Sequence, residues 1–143
     1  MILTVFIIII FLVPLILIPA YNDIAKEKEV KISKLKANAF QYSSSMIGNK
    51  EVVQFKHDCT FCLVRLLEVT LNPLSNRVEI ELSFLVKGNL CLTKRINLGI
   101  YCDNYEYSKR SVGEIKRDIY NAVEEAVKNS QIDESFAKAL EKD

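Results

Sequence analysis

The first twenty residues constrain this chain more than any other feature. Apart from Thr4, Pro14 and Pro19, residues 1–20 are all apolar. A helix of about twenty such residues matches the roughly 30 Å hydrocarbon core of a bilayer. We therefore predict a transmembrane anchor at residues 1–20. A cleaved signal peptide is the alternative, although no Lys or Arg precedes the apolar run and Ile18 is a poor fit to the small-residue rule for cleavage before Tyr21.

The lysines after the apolar run bear on orientation. No basic residue precedes the segment, whereas Lys26, Lys28, Lys31, Lys34 and Lys36 follow it closely. Basic residues flanking a span favour the cytoplasmic side, so we expect a single-pass membrane protein with its domain in the cytoplasm. Export of the domain remains open under the signal-peptide alternative.

Length and charge limit the rest of the chain. Of the 143 residues, those beyond the apolar segment suffice for one compact domain. The 19 Lys and Arg nearly balance the 18 Asp and Glu, which gives no general attraction to nucleic acid. We predict a stalk helix and linker at 21–48, because 22–40 favour helix and Gly48 and Asn49 interrupt it, and a small α+β domain at 49–143.

Alternating apolar residues predict an antiparallel sheet. Residues 67–71 and 78–84 alternate on either side of a turn at Asn72 to Asn76, and 90–101 alternate after a second turn at Gly88 and Asn89. With 51–56 added, the pattern predicts a meander of three or four strands. Its apolar face needs a covering layer.

The C-terminal segment is expected to supply that layer. Ser111 and Glu114 form a capping box. One helical stripe follows at Val112, Ile115, Ile119, Ala122, Val123, Ala126 and Val127. Asn129 and Ser130 suggest a break before a shorter helix with Ile132, Phe136 and Leu140 on one side. The predicted fold class is α+β, with the anchor and stalk followed by a sheet covered by a C-terminal helix pair.

The cysteines raise the possibility of a metal site. The expected hairpin registers place both Cys62 and Cys91 opposite Val86, about 10 Å apart, which is too far for a disulfide. A thiol-metal site from His57, Cys59, Cys62 and Cys91 at this end of the sheet is one alternative to free thiols in a reducing compartment, and disulfides in an exported domain are another. Cys91 and Cys102, at opposite ends of one strand, cannot share a metal or a disulfide.

A redox role for Cys59 and Cys62 is a further alternative. A strand at 52–56 running into Cys59-Thr60-Phe61-Cys62, with 63–71 as a helix, is similar to the thioredoxin-like order of elements. That resemblance implies catalytic thiols at Cys59 and Cys62. Thr60 and Phe61 differ from the Gly-Pro of that family, and no proline after Pro73 can take the place of its cis-proline.

An aromatic and basic connection joins the sheet to the C-terminal helix. It carries a candidate partner-binding set of Tyr101, Tyr105, Tyr107, Lys109 and Arg110. The same tyrosines could instead pack on the adjacent helix end. No phosphate-binding loop or H-E-x-x-H motif is present, and no cofactor is expected. We therefore expect a binding or accessory component of a membrane complex rather than an enzyme, with a protein partner and the bilayer as its contacts.

Overall fold

The computed structural model describes the backbone of residues 2–47, 52–57 and 60–142. Side chains are described throughout these ranges except at residues 3, 11–18 and 52–57. The elements in chain order are α1 (Ile2–Ile47), β1 (Val52–His57), β2 (Thr60–Asn72), β3 (Arg77–Val86), β4 (Asn89–Tyr101), β5 (Tyr107–Lys109) and α2 (Val112–Glu141).

The strands form one antiparallel sheet in the order β1-β2-β3-β4-β5. This arrangement confirms the predicted α+β class and the antiparallel meander, and a short fifth strand extends it. Alternation along β3 buries Val78, Ile80, Leu82, Phe84 and Val86 on one face. That face carries most of the core, because side chains of period two all point to the covered side of the sheet.

The register of β2 and β3 places Cys62 opposite Val86, as predicted. The turn itself is one residue shorter than the predicted turn at 72–76, because Asn72 pairs with Arg77 and Leu71 pairs with Val78. A bulge at Leu67 then shifts the register by one residue between Leu66 and Glu68. The shorter turn and the bulge offset each other, so the two ends of the hairpin stay in the expected alignment.

The predicted register of β3 and β4 is wrong. The turn is formed by Lys87 and Gly88, with φ values of 54° and 80°, instead of by Gly88 and Asn89. Two consecutive residues of positive φ match the twist of a tight hairpin. Asn89 rather than Cys91 therefore lies opposite Val86, and the register shifts again where Cys91 stands between Leu90 and Leu92.

Helix α2 packs mainly on β4 and β3. Ser111 caps it by accepting a hydrogen bond from the Glu114 backbone N–H at 3.3 Å, which confirms the predicted start. The buried residues are those of the predicted stripe except Val112, which is exposed.

The prediction of a C-terminal helix pair is wrong, because α2 runs unbroken through Asn129 and Ser130. Each of these residues disfavours helix by only a few tenths of a kcal/mol relative to alanine, which the neighbouring helix formers offset. The predicted second apolar side, Ile132, Phe136 and Leu140, is exposed instead of completing the layer.

The chain divides into two compact units, Met1–Lys34 and Leu35–Asp143. The second unit contains the sheet, α2 and the last turns of α1. Leu35, Ala39, Ser43 and Ile47 recur every four residues there and are all buried. The compact unit therefore begins fourteen residues before the sequence-based boundary at 49, since this helical stripe continues through the serines that suggested a linker.

Across the residues whose side chains are described, no helix is both long enough and apolar enough to span a bilayer. The predicted anchor at 1–20 includes residues 1, 3 and 11–18, which lie outside the described side chains. The structure gives this anchor no support, and it stays a prediction. Gly48 and Asn49 of the predicted linker also lie outside the described residues.

Candidate functional site

Strand β5 is held against the end of β4 by a close backbone approach. Gly99 pairs with Lys109, and a Cβ atom built on Gly99 would lie 2.0 Å from the Ser108 carbonyl oxygen. Hydrogen bonds beyond each end of β5 complete the ladder, from Cys102 N to Glu106 O at 2.9 Å and from Arg110 N to Leu98 O at 2.8 Å. A residue without a side chain is required at position 99 for this packing.

The connection between β4 and β5 holds Tyr105 in a left-handed backbone conformation, with φ of 60°. Its N–H donates to the Cys102 carbonyl at 2.8 Å, and its ring stacks on Tyr101 with the ring centroids 6.0 Å apart. A left-handed bulky residue costs about 1–2 kcal/mol, so surrounding contacts must hold it there. The connection between β4 and β5 therefore holds the Tyr105 ring in place although the Tyr105 backbone is strained.

The last turns of α1 bring Tyr42 to the same region. Its hydroxyl donates to the Arg110 carbonyl at 3.1 Å, and the Lys109 ammonium lies 4.7 Å from the centroid of its ring. A cation over an aromatic face within about 6 Å is a favourable contact. Buried Ser43, one residue on, satisfies its hydroxyl within its own helix by donating to the Ala39 carbonyl at 2.8 Å.

An open groove of about 680 Å³ lies between these turns of α1 and β5. Its walls combine aromatic rings with amide, hydroxyl and charged groups. The lining residues are Leu35, Asn38, Gln41, Tyr42, Ser45, Tyr105, Glu106, Tyr107 and Lys109. A concave site of this size with an aromatic wall and few charges suits a small ligand or a short segment of another chain.

Three residues of the predicted partner-binding set, Tyr105, Tyr107 and Lys109, line this groove. Tyr101 instead supports Tyr105 by stacking. Arg110 has a structural position, because its Nη1 donates to Asn97 O and Asp118 Oδ2, both at 2.8 Å. The hydrogen bond and the charge of Asp118 raise the pKa of the Arg110 guanidinium, which therefore stays charged and ties the end of β5 to α2.

Tyr107 serves both the groove and the fold. Its hydroxyl donates to the Leu98 carbonyl at 3.3 Å, and burial, followed by the nearby Tyr42, raises its pKa. The phenol therefore remains protonated and keeps its role as a donor at physiological pH. Tyr107 is therefore available in the groove as a protonated phenol and not as a phenolate.

The α1 wall of the groove was not foreseen from the sequence. Asn38, Gln41, Tyr42 and Ser45 all belong to segments interpreted as stalk or linker. A signal was present, since Leu35, Ala39, Ser43 and Ile47 are spaced four residues apart. Small residues such as alanine and serine in a buried stripe allow a helix to pack closely on its neighbour. A run of serines considered without that stripe instead predicts the end of a helix.

The structure does not assemble the predicted metal site in the part it describes. No group of three or more His, Cys, Asp or Glu side chains is close enough to hold a metal ion among the described residues. The His57 and Cys59 side chains lie outside that part. Cys62 is fully buried within β2, and Cys91 lies at a bulge of β4 instead of opposite Val86.

The thiol redox alternative also finds no support at Cys62. Residues 63–71, the helix of a thioredoxin-like order, belong to strand β2. Burial, with a smaller effect of Cys91, raises the pKa of the Cys62 thiol from 9.0 to about 11. A reactive cysteine needs the opposite, namely a lowered pKa and access to solvent.

We expect Cys62 to react at least tenfold more slowly than exposed Cys102 with iodoacetamide in the folded chain at about pH 8, because the thiolate is the nucleophile. The raised pKa also makes the folded state favour the protonated Cys62 thiol. The free energy of unfolding is therefore unaffected by this group below pH 9.0 and falls as the pH rises from 9.0 toward about 11. Mass spectrometry of timed alkylation reports both rates. Equal rates at the two cysteines would contradict the burial of Cys62.

Comparisons with protein-family models, curated proteins and solved structures find no match for this chain.

Proposed function

We propose that residues 35–143 form a protein-binding module whose docking site is the groove between α1 and β5. The observation that carries this proposal is the convergence of Tyr42, Tyr105, Tyr107 and Lys109 on one open groove. Tyrosine combines a large apolar surface with a polar tip and is enriched at the centres of protein interfaces. The strained backbone of Tyr105 supports the same interpretation, because such strain concentrates at binding sites.

We further propose that the module acts as an accessory component of a membrane complex. The apolar composition of residues 1–20 supports anchoring in the bilayer. The lysines that follow this segment, from Lys26 to Lys36, support a cytoplasmic orientation of the module. Anchoring confines a weakly binding module near its partner and raises the effective concentration of the docking site.

The test compares Tyr105→Asn with the unaltered chain. Asparagine tolerates the left-handed conformation, so this variant removes the ring while retaining the loop backbone. Affinity-tagged full-length chains are crosslinked in cells and purified from membranes washed with alkaline carbonate. We expect the chain to stay in the washed membranes, and recovery of its crosslinked partner to fall about tenfold or more in Tyr105→Asn, as for a central interface tyrosine.

Leu74→Asn is the matched control, because Leu74 is 98% exposed and does not line the groove. It should recover the partner as the unaltered chain does. Undiminished recovery with Tyr105→Asn would contradict docking in the groove. Release of the chain by carbonate would contradict anchoring, independently of the result for the groove.

A further inference from the structure

The hydrogen-bond register of β4 and β5 determines which backbone groups of β5 point away from β4. Arg110 N donates to Leu98 O, and Cys102 N donates to Glu106 O. In an antiparallel ladder, hydrogen-bonded pairs alternate with pairs that make no such bonds to each other. The intervening hydrogen-bonded pair is therefore Ile100 with Ser108.

The other two pairs, Gly99 with Lys109 and Tyr101 with Tyr107, are the pairs whose members make no backbone hydrogen bonds to each other. Their backbone groups point away from the shared ladder. The direction of Tyr101 N agrees, since it donates to Asn76 O on the opposite side, at 2.9 Å. By the same alternation, the N–H and C=O groups of Tyr107 and Lys109 point to the outer edge of β5.

That outer edge is unpaired within the described chain. Strand β5 is the last in the sheet order, and among the described residues no hydrogen bond is made by the N–H or C=O of Tyr107 or Lys109 on this side. Both residues also line the groove. Two residues that line the groove thus also carry free backbone donors and acceptors along the β5 edge, and polar side chains of α1, such as Gln41 and Asn38, line the opposite wall.

We infer that the partner of this groove is an extended polypeptide segment that pairs with β5 as a sixth strand. This inference rests on the proposed function and specifies how the partner is recognised. Backbone hydrogen bonds to Tyr107 and Lys109 supply the pairing, and the rings of Tyr42 and Tyr105 contact alternate side chains of the added segment.

The dimensions favour a single segment over a folded domain. The groove of about 680 Å³ is bounded by α1 as well as by β5, and such a space suits a single extended segment better than a folded domain. The lining has one cation, Lys109, and one anion, Glu106, among neutral groups. We therefore expect the groove to select a segment by its extended shape and its contacts with the aromatic rings more than by its net charge.

The experiment uses random peptides of about ten residues, long enough to span β5, selected on phage against the full chain in detergent micelles. Peptides that bind the unaltered chain and not Tyr105→Asn are then added to isotopically labelled protein. We expect amide hydrogen exchange at Tyr107 and Lys109 to slow at least tenfold on binding. Exchange at Ser108, whose N–H already faces β4, should change little.

Lys109→Pro and Lys109→Ala form a matched pair for the same peptides. Proline at this edge position removes an outward N–H while sparing the ladder to β4, and alanine removes only the side chain. Peptide affinity should fall roughly tenfold more in Lys109→Pro than in Lys109→Ala. Equal losses would overturn strand addition.

These outcomes distinguish strand addition from the proposed binding function on which it rests. Groove-dependent peptides that leave the Tyr107 and Lys109 amides unprotected would overturn strand addition and leave the binding module intact. Protection of those amides without peptide, rising with protein concentration alongside a dimer in sedimentation, would identify a second copy as the occupant and overturn the inference. Failure to select any groove-dependent peptide would overturn both proposals.

Discussion

Gly99→Ala is expected to lower the free energy of unfolding by about 3 kcal/mol and, under the proposed function, to abolish recovery of the crosslinked partner. A Cβ atom at this position would lie 2.0 Å from Ser108 O and 2.9 Å from the Tyr107 ring. The first neighbour is backbone, so β5 itself must move. The φ of 153° at Gly99 adds strain for any residue with a side chain.

Displacement of β5 removes its pairing with β4 and one wall of the groove. Urea unfolding of the full chain in detergent micelles, followed by circular dichroism, measures the loss of stability. Gly113→Ala is the matched control, because Gly113 lies in α2 with no atom within 4 Å of its would-be Cβ. It should stabilise the chain by about 0.5–1 kcal/mol. A Gly99→Ala chain as stable as the unaltered one would contradict the close approach of β4 and β5.

Phe84→Ala is expected to cost about 3–5 kcal/mol of unfolding free energy. Phe84 is fully buried in the central strand β3, where it pairs with Val64 on β2 and Leu92 on β4. Removing the ring loses its transfer free energy and leaves a cavity in close-packed surroundings. The expected loss is a large share of the stability of a small domain.

The same urea series measures this change, with Leu74→Ala as the control for removing an apolar side chain. Leu74 is 98% exposed, so its truncation should change stability by less than about 0.5 kcal/mol. A loss at Phe84 no larger than at Leu74 would show that the face of β3 assigned to the core is not buried.

Local patterns predicted the elements of this fold well where one face is buried. The alternation of β3 and the helical stripe of α2 each required a covered side, and both are buried as expected. The Ser111 cap was also readable, because it involves residues three apart. These features depend on neighbours in sequence, so the sequence alone contains their cause.

Register was less predictable, because it depends on where an extra residue is placed in a strand. Cys62 faces Val86 only because a shorter turn is offset by the bulge at Leu67. On the next hairpin the two register shifts restore the predicted alignment only at the far end, where Arg77 pairs with Ile100. Near the turn the alignment differs from the prediction, so Cys91 does not lie opposite Val86 beside Cys62. A bulge of one residue has no distinctive local pattern, yet it changes which side chains can meet.

Only part of the candidate site could be predicted from the sequence. Tyr105, Tyr107 and Lys109 were identifiable as an aromatic and basic connection, whereas Tyr42 and the other α1 residues were not. The two walls are separated by some sixty residues of chain, with Tyr42 bonded to Arg110 across a separation of 68. Contacts of that range follow from the packing of the whole sheet and not from local propensity.

The sequence by itself determined the class of the domain, its antiparallel meander and the start and buried stripe of α2, because periodicity and capping act between near neighbours. Only the tertiary structure decided that Tyr42 of α1 contacts Lys109 and Arg110, that β5 approaches Gly99 closely, and that Tyr107 and Lys109 line a groove. Those outcomes depend on how closely distant backbones approach, which is decided by packing in three dimensions.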